Sequence, residues 1–300
     1  MWQPEPGWTR LAGGMGASTA GIWRVESGGT VYAVKRIAAP AADDPADFSR
    51  PAHFAWWRRP ADVALSGAVD RTPGLRSVAA YRVDEDVEGV TIWHPLVTDA
   101  GSSGLFRAAA LGGFAAAELP SAPWLARGQL RERMARVEHR GGWRLLARTT
   151  VADVADRIWT RREHLLGVLD GLPQVPQHGD PTPENLLGRD GGAVLAIDWS
   201  TLGTGPVGAD LGYLALSARE EFQPLLDAYV AALPDGLAGR EQAELGAQVA
   251  AVLTVMSRAE WALARVADRP GALAGKFRHP SVAPYLRSMQ RQFPQIEALL

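Results

Sequence analysis

An aspartate, an asparagine five residues on and a second aspartate thirteen beyond that stand within His178-Gly179-Asp180-Pro181-Thr182-Pro183-Glu184-Asn185 and the following Ile197-Asp198-Trp199. Phosphoryl transfer from a nucleotide needs these residue types. One carboxylate accepts the proton of an attacking hydroxyl, while an amide oxygen and a second carboxylate hold Mg²⁺ on the phosphates. Asn185 is the only asparagine in the chain. A turn or capping asparagine is the plainer role beside proline, but within this spacing a neutral oxygen ligand is the reading adopted.

The elements around these residues must hold them in place. The apolar run 194–197 reads as a short buried strand that delivers Asp198. Leu186-Leu187 reads as its partner and Gly191-Gly192 as the turn between them. A helix over 151–172, with Val154, Ile158, Leu165, Leu166 and Leu169 on its buried face, runs into the motif. Residues 201–208 read as a loop. Asp210 then opens a helix, either as a cap or as a second-shell acceptor bracing the loop that carries Asp180.

Upstream the pattern is β-rich. Residues 8–12 and 21–25 read as strands joined by a glycine-rich turn. There Gly13, Gly14, Gly16 and Ser18 could bring backbone N–H groups close to phosphate oxygens. The turn lacks a Gly-Lys-Ser/Thr ending and opens no helix, so it is not a P-loop. A third strand, 31–37, carries Lys35, one of only two lysines in a chain that otherwise uses arginine. A compact ammonium on a flexible stem suits the α/β-phosphates. Two more strands are expected at 76–82 and 89–93, joined by an acidic turn at Asp84-Glu85-Asp86. A helix over 53–65 is interrupted or restarted at Pro60. His94 lies in the connector that follows, whose backbone could bind an adenine edge. Helices are then expected over 105–119, 124–139, 220–233, 239–266 and 284–292. The boundary expected is an N-terminal lobe over 1–96 and a helical lobe over 97–300.

Composition excludes several classes. At 300 residues and 47% hydrophobic, the chain can bury a large core in two lobes. A net charge of -2 gives no footprint for nucleic acid. No cysteine is present, so disulfides and thiolate metal sites are impossible. Neither a secretory signal nor an 18-residue apolar span is visible, which makes a cytoplasmic protein without membrane contact the expectation. A metallohydrolase built on His178 and Asp180 would need further histidines at ligand spacing, and none occurs. From Arg219 onward nine acids balance nine bases. The lobe therefore offers no net acidic field for a strongly cationic acceptor, and the balance leans towards a neutral or weakly charged one, although a local cluster could hide in it. Composition is silent on oligomeric state.

On the His178-Gly-Asp180-x-x-x-x-Asn185 motif, Ile197-Asp198 and Lys35, the chain resembles the aminoglycoside phosphotransferase family of kinase-like enzymes, which also holds choline, homoserine and macrolide kinases. The resemblance runs from about residue 13 to 213. It implies an α+β, bilobal protein-kinase-like fold with ATP between a small five-stranded antiparallel lobe bearing one helix and a larger helical lobe. On matching positions it implies Asp180 as base, Asn185 and Asp198 as Mg²⁺ ligands, Lys35 on phosphate, His178 shaping the loop and Asp210 bracing it. A small-molecule hydroxyl acceptor, antibiotic or metabolite, is implied in preference to a protein: Gly179 stands where protein kinases have an activation-loop-reading arginine, and no Ala-Pro-Glu segment follows Asp198. The family helix after strand three usually carries a glutamate that pairs with the lysine. Here Arg58-Arg59-Pro60 stands in that place, so either another acid such as Asp47 or Asp62 makes the pair, or phosphate alone holds Lys35. The alternative this departure raises is a catalytically weakened pseudokinase that binds nucleotide and regulates a partner.

Overall fold

Alternating apolar and polar residues in the first third of the chain build a five-stranded antiparallel sheet. It comprises β1 (Thr9–Arg10), β2 (Thr19–Ser27), β3 (Thr30–Ala38), β5 (Arg82–Asp86) and β6 (Gly89–Pro95), in the order β1-β2-β3-β6-β5. The computed structural model describes residues 2–12, 18–98, 101–142, 152–267, 278–280, 282–291 and 298. Gly28 and Gly29, both at positive φ, make the tight β2–β3 turn. One face of the sheet stacks Trp23, Tyr32 and Trp93 under Trp2 and Trp8. The other buries Ile37, Val90 and Ile92 against Ala61 of helix α1 (Arg59–Ser66).

Two expectations shift here. The strand read at 76–82 lies instead at Arg82–Asp86, so Asp84, Glu85 and Asp86 are strand residues, and Val87-Glu88 turn the chain. Acidic side chains are tolerated because β5 is an exposed edge. Asp84 and Asp86 also meet cations or donors, Arg36 bonding Asp86 at 2.7 Å and Trp93 Nε1 bonding Asp84 at 3.1 Å. The helix read over 53–65 begins only at Arg59, with Pro60 in its first turn, where a missing N–H costs nothing.

Leu75–Arg76 form β4, which pairs in parallel with β9 (Ala193–Ala196) far along the chain. β9 is also the antiparallel partner of β8 (Leu186–Asp190). Val63, Val69 and Leu75 accordingly pack in one core with α2 (Gly104–Phe114), α5 (Ala209–Ala215) and α6 (Phe222–Ala231). A second core joins α3 (Gln129–His139), α4 (Ala152–Asp170), α7 (Arg240–Ala267) and α8 (Ala283–Arg291). Residues 203–206, read as loop, form β10 (Gly203–Pro206), antiparallel to β7 (Gln174–Gln177), so the motif sits between two short sheets. No described helix is long and apolar enough to cross a membrane.

Candidate active site

The segment 178–185 leaves β7 and enters β8, and five hydrogen bonds fix its path. His178 N donates to Asp210 Oδ2 at 2.7 Å and Gly179 N to Asp210 Oδ1 at 3.1 Å. The helix α5 is capped by Gly208, so Asp210 acts on the loop and not as a cap. Thr201 Oγ1 donates to His178 O at 2.9 Å. Asp180 N donates to His178 Nδ1, which leaves the imidazole proton on Nε2, 2.9 Å from Ile197 O. Burial holds His178 below the usual histidine range, in keeping with this neutral tautomer. Its ring packs on Trp199 with centroids 4.7 Å apart. Thus His178 ties the Asp180 loop to the strand that carries Asp198.

Gly179 has φ +80°, and a Cβ there would lie 2.5 Å from Gln129 Nε2. Gln129 in turn donates to Thr201 O at 2.7 Å. A side chain at 179 is therefore excluded on both conformation and space.

Asn185 donates Nδ2–H to Asp180 O at 2.9 Å, which commits the amide nitrogen and leaves Oδ1 as the free end. Asp198 is the one non-glycine residue at positive φ among those described, with φ 58° and ψ 57°. Such backbone costs about 1–3 kcal/mol and persists where surroundings over-determine it. Lys35 Nζ lies 2.7 Å from Asp198 Oδ1. Burial pushes the Asp198 carboxyl up, and Lys35 outweighs it, so the group sits below the ordinary aspartate range. Neither acid expected for Lys35 reaches it. Asp62 bonds Arg58 at 2.9 Å and Trp56 Nε1 at 2.8 Å, and Asp47 bonds Arg50 at 2.9 Å. The lysine partner comes from the other lobe because α1 opens with Arg59-Pro60 and offers no carboxylate towards β3.

Gly13, Gly14 and Gly16 lie outside the described residues; Ser18 precedes β2, and its carbonyl accepts from Ala38 N at 2.8 Å. His94 directs Nδ1 to Val78 O at 2.8 Å, and burial lowers its pKa, so its ring serves the small lobe. Any nucleotide contact at that position falls to the backbone.

Several residues at the site were not read from the sequence. Arg258 of α7 forms an ion pair with Asp180, and Tyr213 of α5 bonds the same carboxylate. Burial raises Asp180, but Arg258, the Tyr213 hydroxyl and Arg133 of α3 together bring it below the ordinary range. A signal existed: Arg258 and Glu260 are the only charges within 247–263, inside a helix otherwise apolar there. Arg59 is fully buried and spends all five N–H donors on backbone carbonyls of Pro51, His53, Phe54, Trp124 and Ser200.

The donor set fits a magnesium ion shared with phosphates. Among the described residues no three His, Asp or Glu side chains gather into a cage. Mg²⁺ commonly takes only one or two protein oxygens and completes its shell with phosphate and water. Asn185 Oδ1 and the Asp198 carboxylate are of that kind.

The comparisons agree with this geometry. The family model described as "Phosphotransferase enzyme family" matches residues 8–245. No curated protein sequence matches the chain. Among solved structures, choline kinase LicA from Streptococcus pneumoniae is similar at 13% identity and TM-score 0.62, covering 97% of this chain and 93% of that one. Amicoumacin kinase hAmiN, in complex with AMP-PNP, Ca²⁺ and Ami, is similar at 14% identity and TM-score 0.61, covering 100% and 93%. A spectinomycin phosphotransferase in complex with ADP and its antibiotic is similar at 10% identity and TM-score 0.53, covering 96% and 92%. At these identities the likeness is one of fold.

Proposed function

The chain belongs to the phosphotransferase enzyme family and is a small-molecule kinase, and from that premise we propose that it moves the γ-phosphate of ATP to a hydroxyl of a small molecule, with Asp180 as the accepting carboxylate. The observation that carries this reading is the approach of Lys35 from β3 to Asp198 at 2.7 Å, across 163 residues, beside the loop that holds Asp180 and Asn185. This supports reading Lys35 as the phosphate-binding lysine, Asn185 and Asp198 as the metal ligands and Asp180 as the base of one site.

In this reading Asp180 is ionised throughout the physiological range and accepts the acceptor's O–H. As the oxygen–phosphorus bond forms and the bond to the departing ADP oxygen breaks, the proton passes to Asp180. Lys35 steadies the phosphates. Asn185 and Asp198 would hold Mg²⁺, which when bound neutralises charge on the phosphate oxygens. His178 and Asp210 keep the loop in register, a positioning role. The small lobe over residues 1–96 is read as the nucleotide side and 97–300 as the acceptor side, an antibiotic or a metabolite being the acceptor.

The pseudokinase alternative rests on Pro60: Lys35 meets Asp198, the carboxylate assigned here to Mg²⁺, and α1 supplies no acid to it. The test is Mg²⁺-dependent ATP consumption against hydroxylated antibiotics, amino alcohols, hydroxy acids, sugars and nucleosides. Asp180→Asn is expected to lower kcat about 10²–10⁴-fold with little change in nucleotide affinity. Near-full kcat in that variant would remove Asp180 as the base.

A further inference from the structure

Two guanidinium groups converge on one carboxylate. Arg258 pairs with Asp180 and lies with its guanidinium carbon 5.3 Å from the centre of the Tyr213 ring. Arg133 reaches Gly179 O at 3.4 Å in the same loop. Burial and the adjacent Arg258 push Arg133 down to about 10, as expected for crowded like charges. Of the other carboxylates near Asp180, Asp210 is committed to two backbone N–H donors and Asp198 to Lys35 at 2.7 Å, which leaves Arg258 and Arg133 facing Asp180 alone.

Arg258 is also incompletely used. It gives Nη2 to Asp180, while its Nε is buried and has no hydrogen-bond partner. An unpaired buried N–H of this kind costs about 1–3 kcal/mol. A guanidinium offers two parallel N–H groups along an edge, which matches a carboxylate or phosphate in a bidentate pair. Tyr213 is at the same time a wall of a cavity of about 820 Å³, lined further by Thr182, Glu184, Tyr285, Arg287 and Arg291. Its walls carry two arginines against one glutamate. An acceptor bearing several ammonium groups would meet Arg287 and Arg291 along these walls, with Arg258 against the ring of Tyr213.

We propose that the acceptor is an anion, an alcohol that also carries a carboxylate or phosphate, and that this group binds Arg258, with Arg133 behind it, and takes the guanidinium over from Asp180. The proposal rests on the phosphotransferase reading of the same site and names its substrate class. The exchange has a consequence for chemistry: Asp180 is freed to accept the hydroxyl only when the anion has engaged Arg258. Neutral or cationic alcohols leave the ion pair in place.

The test is a binding measurement, so it is independent of turnover. Inorganic phosphate is titrated into the full chain at constant ionic strength, followed by thermal shift, with and without Mg²⁺ and a non-hydrolysable ATP analogue. Wild type is expected to bind the anion in both conditions. Arg258→Gln weakens binding by tenfold or more, and Arg258→Lys by less. Asp180→Asn tightens it by about tenfold, because the internal carboxylate no longer competes for Arg258. A merely structural role for Arg258 predicts no such gain. Binding that is abolished by the ATP analogue would place the anion in the γ-phosphate position and overturn the proposal. So would equal affinity in Arg258→Gln, or weaker binding in Asp180→Asn. These outcomes do not bear on whether phosphate is transferred, and a failed transfer assay would not produce them.

Discussion

Arg59→Met removes two hydrogen bonds between the lobes, to Trp124 O and Ser200 O, and three within the small lobe, while keeping much of the side-chain volume. Arg59 lies in the first turn of α1 and gives all five donors to carbonyls at 2.5 to 2.9 Å, those of Trp124, Phe54, Ser200, Pro51 and His53. Charged hydrogen bonds contribute about 1.5–3 kcal/mol each in isolation. Their sum is not the net effect, because burial pushes the Arg59 pKa down to about 10, a net cost to the charged form on the order of 3 kcal/mol. Methionine would leave five carbonyls without their donor, and water can reach only some of them. The expected loss is about 3–5 kcal/mol, the range for breaking a buried charged contact on one side. Arg59→Lys keeps the charge but only three donors and no planar fork, so it is expected to fall between. Urea unfolding followed by tryptophan fluorescence reads both variants. Because Ser200 lies two residues after Asp198, Arg59→Met is also expected to raise the Mg²⁺ concentration needed for half-maximal activity. A loss below 1 kcal/mol with unchanged Mg²⁺ dependence would refute the argument that Arg59 fixes the segment 198–200.

Lys35→Met is expected to weaken nucleotide binding about tenfold or more, read by equilibrium titration. Stability should fall by at most about 1 kcal/mol, because the Lys35–Asp198 pair is partly exposed; unchanged nucleotide affinity would sink the phosphate role. Gly208→Ala should destabilise by about 3 kcal/mol or more, since φ is +86° and the new Cβ would lie 2.1 Å from Ala243 O of α7; a urea midpoint near wild type would contradict the close α5–α7 packing. An aspartate whose folded pKa is depressed binds fewer protons folded than unfolded, as do Asp180 and Asp198. Their contribution is complete above the unfolded value of about 4 and is lost as pH falls through the lower folded values. Urea midpoints between pH 7 and 2.5 should therefore decline less steeply in Asp180→Asn than in wild type, and parallel curves would exclude the linkage.

What the sequence showed and what it hid divide along physical lines. The motif, the β8–β9 hairpin and the helices of the large lobe follow from local rules: turn glycines, short apolar runs and 3.6-residue periodicity. Strand β5 was displaced because its acidic residues looked like a turn, and only an edge position with cationic neighbours makes Asp84–Asp86 tolerable as strand. Strand β4 was invisible because its partner β9 lies 119 residues on at Leu75↔Val194, and parallel pairing leaves no local signature. The family resemblance points for a Lys35 partner to the segment after β3, to Asp47 or Asp62. The actual source in the opposite lobe depends on lobe docking, which no local pattern encodes. Arg258 is a charge in an apolar run, a detectable anomaly, whereas Arg59 stands between Arg58 and Asp62 and carries no such signal; the partners of both are fixed only by tertiary structure.

The segment 196–200 concentrates these long-range contacts on one strained residue. Asp198 is held in left-handed backbone at a cost of about 1–3 kcal/mol. On its near side His178 Nε2 bonds Ile197 O at 2.9 Å, and Trp199 Nε1 bonds Ala196 O at 3.1 Å. On its far side Arg59 bonds Ser200 O at 2.8 Å, and Lys35 holds the carboxylate itself. Two of these four contacts come from the small lobe and two from the large one, so the strained conformation is held from both sides. Asp180, by contrast, is fixed entirely within the large lobe, by Arg258, Tyr213 and the loop braced on Asp210. Under the proposed function the nucleotide side of the site depends on lobe position, and the acceptor side on the packing of α3, α5 and α7 around Asp180.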